Sequence, residues 1–249
     1  IKSLFIKKEL QLAHGGYGEI RPFYSVDEFK EVGNAGIRWR TVHLGTDLWT
    51  KAGTELYAPL SGKVVGLQNN EGDQNYGPTI ILRHYFEDIE LEFFTLYGHL
   101  DSSCLDKLHI GQKINRGDRI ARIGDFPENG NWSPHLHFQV MLDMLGNKGD
   151  FPGVSFISNA SMFLSVCPTH QKFLGLKENH VNTSSKIAGI KQDILKRRRE
   201  KLGRNLSVSY NNPLHIVRGY KQYLYSSSGR RYLDTVNNVA HVGHEHPDI

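Results

Sequence analysis

Between Gly15 and about Val140, apolar residues recur in short runs of period two, separated by glycine-rich and Asn/Asp-rich clusters, and stretches of 3.6-residue period are few. The pattern predicts strands over Thr41–Leu48, Glu55–Tyr57, Gly62–Gln68, Thr79–His84, Phe93–Leu100, Arg119–Ile123 and His135–Leu142. Turns fall in clusters such as Asn69–Asp73 and Glu128–Asn131. Two segments, Ala52–Val65 and Ile110–Ala121, echo each other: a glycine, a short strand, a tight turn, a second strand. Many strands without a long helix predict a mainly β fold, an antiparallel β-sandwich of the duplicated, barrel-sandwich hybrid type.

After Phe151-Pro152-Gly153 the character changes. Thr183-Ser184-Ser185 can cap a helix with Ile187, Ile190, Ile194 and Leu202 on its apolar face and Gly203 as its stop. Further on, Ile216–Tyr225 and Arg230–Asp234 flank Ser226-Ser227-Ser228-Gly229, a hairpin pattern. The expected division is an N-terminal remnant or linker over 1–14, the principal domain over 15–165, a linker with a basic helix over 166–206, and the start of another unit over 207–249.

The length of 249 residues, 39% of them hydrophobic, suits one large domain with additions. No run approaches the ~18 consecutive apolar residues of a membrane-spanning helix. Ile1–Leu12 alternates charged and apolar residues and builds no signal-peptide core, and the chain reads as a piece of something larger. The net charge of +4 is local: from Lys191 to Arg204 seven basic residues face two acidic ones, giving +5 there and −1 elsewhere. That helix reads as a solvated connector, and the body lacks the basic face of a nucleic-acid binder. Cys104 and Cys167 form no Cys-x-x-Cys pair and read as two idle thiols.

Candidate chemistry is concentrated in three motifs, His43-Leu44-Gly45-Thr46-Asp47, Tyr97-Gly98-His99-Leu100 and Pro134-His135-Leu136-His137-Phe138. Strand residues two or four apart share a face, so His43 can meet Asp47 and His135 can align with His137. Imidazole nitrogen and carboxylate oxygen suit zinc, and catalytic zinc usually keeps three protein ligands and an open position. Two neutral histidines and one aspartate leave a formal charge of about +1, which helps to acidify a water from a pKa of 15.7 towards ~7. One ion does not take all five side chains, so two histidines remain to abstract a proton, orient the water or hydrogen-bond a developing oxyanion. His84 and His109 sit near strand ends and turns. His14, His170, His180 and His215 lack convergent partners, and the His241, His244, His246 tract is not read as a metal site.

Together, His43-x-Gly-x-Asp47, His99 in its Tyr-Gly-His-Leu setting and His135-x-His137 resemble the LytM/lysostaphin-like M23 zinc metallopeptidases. The resemblance runs from about Thr41 to Val140 and includes Ala58–Gly62, Gly77–Ile81 and Gly111–Gly124. It implies an antiparallel β-sandwich with a groove across one face, one Zn2+ held by His43, Asp47 and His137, and His99 and His135 as catalytic residues. It also implies a zinc-dependent endopeptidase acting on a peptide or peptidoglycan-like substrate. Such enzymes generally cut cell-wall peptide crosslinks, often at glycine-rich or D-amino-acid bonds, through a narrow groove with small-residue preference.

A second resemblance covers Pro213–Tyr220, Tyr223–Tyr225, Gly229–Asp234 and Asn237–Pro247, which look like the opening segment of class III pyridoxal-phosphate aminotransferases. Their Schiff-base lysine lies far downstream, so pyridoxal phosphate belongs to a missing domain. The combination resembles the middle of a phosphotransferase–M23–aminotransferase protein. It implies covalently fused neighbours and, with no visible signal peptide, favours a cytoplasmic parent; charge and hydropathy predict no nucleic-acid or membrane partner. The alternative class is a non-catalytic binding module such as a lipoyl or biotin carrier or a phosphocarrier. Carriers need a lysine at a hairpin tip, near which Lys63 and Lys113 lie without the usual flanking residues, and phosphocarrier chemistry does not require Asp47.

Overall fold

A computed structural model describes residues 13–21, 23–33, 36–176, 193–202, 213–220, 223–226 and 231–233. The strands of the body are β1 (Ala13–Gly15), β2 (Lys30–Gly33), β3 (Gly36–His43), β4 (Thr46–Trp49), β5 (Glu55–Tyr57), β6 (Gly62–Asn70), β7 (Gly77–Phe86), β8 (Leu91–Gly98), β9 (Lys113–Ile114), β10 (Arg119–Arg122), β11 (His135–Met141) and β12 (Val154–Phe156). Two short helices, α1 (Ser103–Lys107) and α2 (Ala160–Val166), accompany them. The main sheet has seven strands in the order β1-β4-β11-β8-β7-β6-β9, beside a β10-β5 pair and a β12-β3-β2 sheet. Every pairing is antiparallel, as the mainly β reading expects.

Core packing explains why the central strands read as nearly continuous apolar runs. On β7, Ile80 and Leu82 face a cluster with Leu48, Leu56, Leu136 and Phe138, while Ile81 faces a second one with Leu44, Leu96 and Met141. Both faces of the main sheet are therefore covered, and alternation within a strand selects between two cores rather than between core and water. The echoing segments lie against each other: β6 pairs with β9 and β5 with β10. Packing continues to Leu174 and Leu176, and Cys104 and Cys167 are buried and unpaired.

Two expectations need correction. The strand expected over Thr41–Leu48 is two strands in different sheets, because β3 pairs with β12 and β2 whereas β4 pairs with β11 and β1. The expected C-terminal hairpin is a three-stranded meander, β13 (Ile216–Tyr220), β14 (Tyr223–Ser226) and β15 (Arg231–Leu233), since the first apolar run contributes two paired strands rather than one. The helix described over 193–201, α3, leaves Ile194 44% exposed, and Leu202 just beyond its end is 43% exposed. Its expected cap at Thr183–Ser185, Ile187, Ile190 and Gly203 lie outside the described residues, as do His180, His241, His244 and His246. Among the described residues, no helix is long and apolar enough to cross a membrane.

His170 is packed between Tyr17 and Phe138, with ring centroids at 5.6 and 5.3 Å. Burial pushes its imidazole down to about 4. The folded state therefore binds fewer protons than the unfolded chain, and this contribution to stability, complete above the unfolded value of ~6.5, is lost as pH falls towards 4. Within that window the loss is at most ~1.4 kcal/mol per pH unit. In thermal melts from pH 7 to 4.5, His170→Leu should flatten the acid decline of Tm relative to the unsubstituted chain.

Candidate metal centre

β4 and β11 run side by side with Asp47 opposite His137 and Trp49 opposite His135. Along β11, Leu136 and Phe138 enter the first core, so alternation turns His135, His137 and Gln139 to the other face of the sheet. His43 ends β3 in the smaller sheet, and the chain crosses to β4 through Leu44 and Gly45. A Cβ on Gly45 would lie 2.5 Å from His137 Nε2 and 2.9 Å from the Phe138 carbonyl, so the crossing requires glycine. His43 and Asp47 thus converge from two sheets rather than from one strand.

The result is a buried triangle: His43 Nε2 to His137 Nδ1 is 3.1 Å, His137 Nδ1 to Asp47 Oδ1 is 3.2 Å, and His43 Nε2 to Asp47 Oδ1 is 3.4 Å. Their partners fix which ring nitrogens carry hydrogen. His43 Nδ1 lies 3.0 Å from the Gly16 carbonyl, which only accepts, so Nδ1 is the donor and Nε2 holds a lone pair. The Gln139 amide nitrogen donates to the Pro152 carbonyl at 3.2 Å, which turns its oxygen to His137 Nε2 at 2.9 Å. His137 therefore donates through Nε2 and keeps its lone pair on Nδ1. Two imidazole lone pairs and a carboxylate oxygen then share one buried spot with no hydrogen between them, an arrangement that calls for a cation.

The carboxylate is ionised. Burial alone would raise the Asp47 carboxyl, but the imidazoles of His43, His137 and His135 around it, when they carry a proton in place of a metal ion, hold it well below its ordinary range. Its other oxygen, Oδ2, accepts from Arg21 Nη1 at 2.6 Å.

His99 and His135 stand beside the triangle, with ring centroids 4.3 Å apart, and both are buried. His99 Nδ1 donates to the Asn129 carbonyl at 2.9 Å and His135 Nδ1 to the Ser133 carbonyl at 2.6 Å. Each keeps Nε2 as its available nitrogen, that of His135 lying 3.8 Å from Asp47 Oδ1. Burial lowers both, with repulsion from His135 and His137 adding to the effect on His99, so both are neutral near pH 7. All five residues singled out in the sequence meet here. Lys63 and Lys113 stand opposite each other on β6 and β9.

Sequence reading missed the segment that braces the triangle from outside. Gly16 supplies the carbonyl for His43, and a Cβ there would fall 2.1 Å from Arg21 Nη2. Arg21, with 9% of its surface exposed, bridges Asp47 and Glu19, so Glu19 offsets the guanidinium charge that would otherwise neutralise Asp47. No motif marks Arg21, which sits 26 residues from its partner. Outer partners of metal ligands are typically worth about 10–100-fold in affinity. Arg21→Ala should weaken zinc binding by about that factor in a chelator competition, with Arg21→Lys recovering part of the loss.

Residues 41–149 match the family model described as Peptidase family M23. The chain carries an M23 peptidase domain. This metallopeptidase-type M23 domain contains all five site residues, whereas Gly16, Glu19 and Arg21 precede the matched range. Over 149 residues the chain is 29% identical to the peptidoglycan DD-endopeptidase ShyB of Vibrio cholerae serotype O1, a match covering 55% of this chain and 32% of that protein. A 60-residue stretch, 24% of this chain, is 47% identical to the Drosophila melanogaster alanine–glyoxylate aminotransferase 2-like protein and spans 12% of it. The chain therefore covers less than two thirds of either relative. The solved catalytic domain of lysostaphin from Staphylococcus simulans is similar at 23% identity and a TM-score of 0.39, covering 67% of this chain and 92% of that one.

Proposed function

We propose that the M23 domain is a zinc-dependent endopeptidase in which His43, Asp47 and His137 hold the ion and His99 and His135 manage protons at the scissile amide. The triangle of lone pairs carries this reading. A tetrahedral site with bonds of about 2.0–2.1 Å needs ligand atoms roughly 3.3–3.4 Å apart, and the three separations of 3.1, 3.2 and 3.4 Å fit that spacing. Zinc bound there supplies Lewis acidity and lowers the pKa of a water towards neutrality. Neutral His99 and His135, each anchored through Nδ1, offer Nε2 to take a proton from the attacking water and return it to the departing amide nitrogen. The substrate class we propose is a peptide, including peptidoglycan-type crosslinks, supported by the similarity to ShyB. We further propose that the domain, expected over 15–165, also takes in the rest of β1 and the segment to Leu176 that packs into its core, and that 207–249 begins an aminotransferase-like unit whose pyridoxal-phosphate site lies elsewhere in a parent protein.

Elemental analysis of the desalted protein should return one zinc per chain. Digestion of a peptide library should stop on adding a chelator and resume on adding zinc. Protein without stoichiometric zinc, or cleavage indifferent to the chelator, overturns the reading.

A further inference from the structure

The cleft over the metal centre encloses about 550 Å³, and one of its walls is aromatic. Phe23, Tyr24 and Phe29 form a run of rings with centroids 4.8 Å apart at each step, and Trp132 closes the run at 6.0 Å from Phe23 and 6.2 Å from Tyr24. Trp132 also meets His99 and His135 edge to face, at 6.1 and 6.2 Å. Phe23 is packed against two of these rings and is still 51% exposed, so it offers the cleft apolar surface that folding does not use. The Arg21 guanidinium, 6.0 Å from the Phe23 ring, is engaged by Asp47 and Glu19, and the Glu28 carboxylate, which also lines the cleft, accepts from the Asn75 amide at 3.5 Å.

The distance between wall and histidines sets which part of a substrate the wall meets. A carbonyl placed for attack lies beside His99 and His135, and an extended peptide advances about 3.3 Å per residue. Trp132 stands in edge-to-face contact with both histidines, so the wall begins where a long side chain on the residue adjoining the scissile bond would lie. Resting on the peptidase reading, we infer that Phe23, Tyr24, Phe29 and Trp132 form a specificity pocket for a bulky apolar side chain, aromatic or large aliphatic, next to the bond that is cut. Glycine at that position leaves the wall wet and forfeits the contact, so this specificity departs from the small-residue preference that the resemblance implies. Burying a side chain of that size against the wall corresponds to about 10–100-fold in kcat/KM.

The test uses the full chain and two fluorogenic peptides that differ only in Phe or Gly beside the scissile bond. The Phe peptide should be cut about 10–100-fold more efficiently. Phe23→Ala should reduce that ratio at least tenfold, mainly through KM, and Phe23→Leu should restore part of it. Equal or better cleavage of the Gly peptide, or an unchanged ratio in Phe23→Ala, overturns the inference. If neither peptide is cut, the peptidase reading fails separately, and the pocket is tested by NMR titration with N-acetyl-phenylalanine amide and N-acetyl-glycine amide. Selective binding of the Phe amide that weakens in Phe23→Ala supports the pocket, and equal binding of the two amides overturns it.

Discussion

Asp47→Asn should strip the chain of zinc and of hydrolytic activity in one step. The substitution keeps the volume of the side chain and removes the only negative charge among the three candidate ligand atoms, leaving two neutral imidazoles and an amide to face a divalent ion. Losing an outer partner of a metal ligand typically lowers affinity about 10–100-fold, so losing the ligand itself should exceed 100-fold. Stability also falls, because Arg21 keeps Glu19, at 3.3 Å, but loses its buried charged partner, and breaking a buried ion pair by removing one partner costs about 3–5 kcal/mol. The measurement is therefore zinc per folded protein, by elemental analysis of material whose fold is checked by circular dichroism. An Asp47→Asn protein that retains stoichiometric zinc removes Asp47 from the ligand set.

His99 and His135 should separate rate from metal. Their Nδ1 atoms are tied to carbonyls, so replacing either removes a proton-handling Nε2 without disturbing the triangle. General acid–base groups typically contribute about 10²–10⁴-fold, and a loss of that size in kcat with unchanged zinc content is the expected result for His135→Ala. At His99 the choice of substitute matters, because its φ of +63° lies in the left-handed region, where Asn is tolerated far better than Ala. His99→Asn is therefore the informative variant. Zinc content that falls together with the rate would place that histidine among the ligands instead.

Much of this site is legible in the sequence because its elements are short and strictly alternating. The order His135, Leu136, His137, Phe138 on β11 already separates a polar face from an apolar one. The same period could have found Gln139, two residues beyond His137 in the same row, which fixes the His137 ring. The break after His43 was less visible. Leu44 and Leu48 continue the apolar pattern through it, and the need for glycine at 45 arises from His137, some ninety residues away in the chain, not from neighbouring residues. Arg21 and Gly16 were unreadable for a related reason: their partners are set by how β1 lies on β4 and how residues 18–21 run along β3, which no local pattern encodes. Helices α1 and α2, of five and seven residues, are too short for a 3.6-residue period to emerge.

The crossing at Leu44 and Gly45 has a mechanical consequence. Because one imidazole comes from the smaller sheet and the other two ligand atoms from the larger, an ion gripped by all three rivets the layers to each other. Occupancy and cohesion then rise together: each tenfold excess of free zinc over its dissociation constant adds about 1.4 kcal/mol to the folded state. A mutation that lets the layers slide by a fraction of an ångström, far from any histidine, would surface first as leakage of the ion.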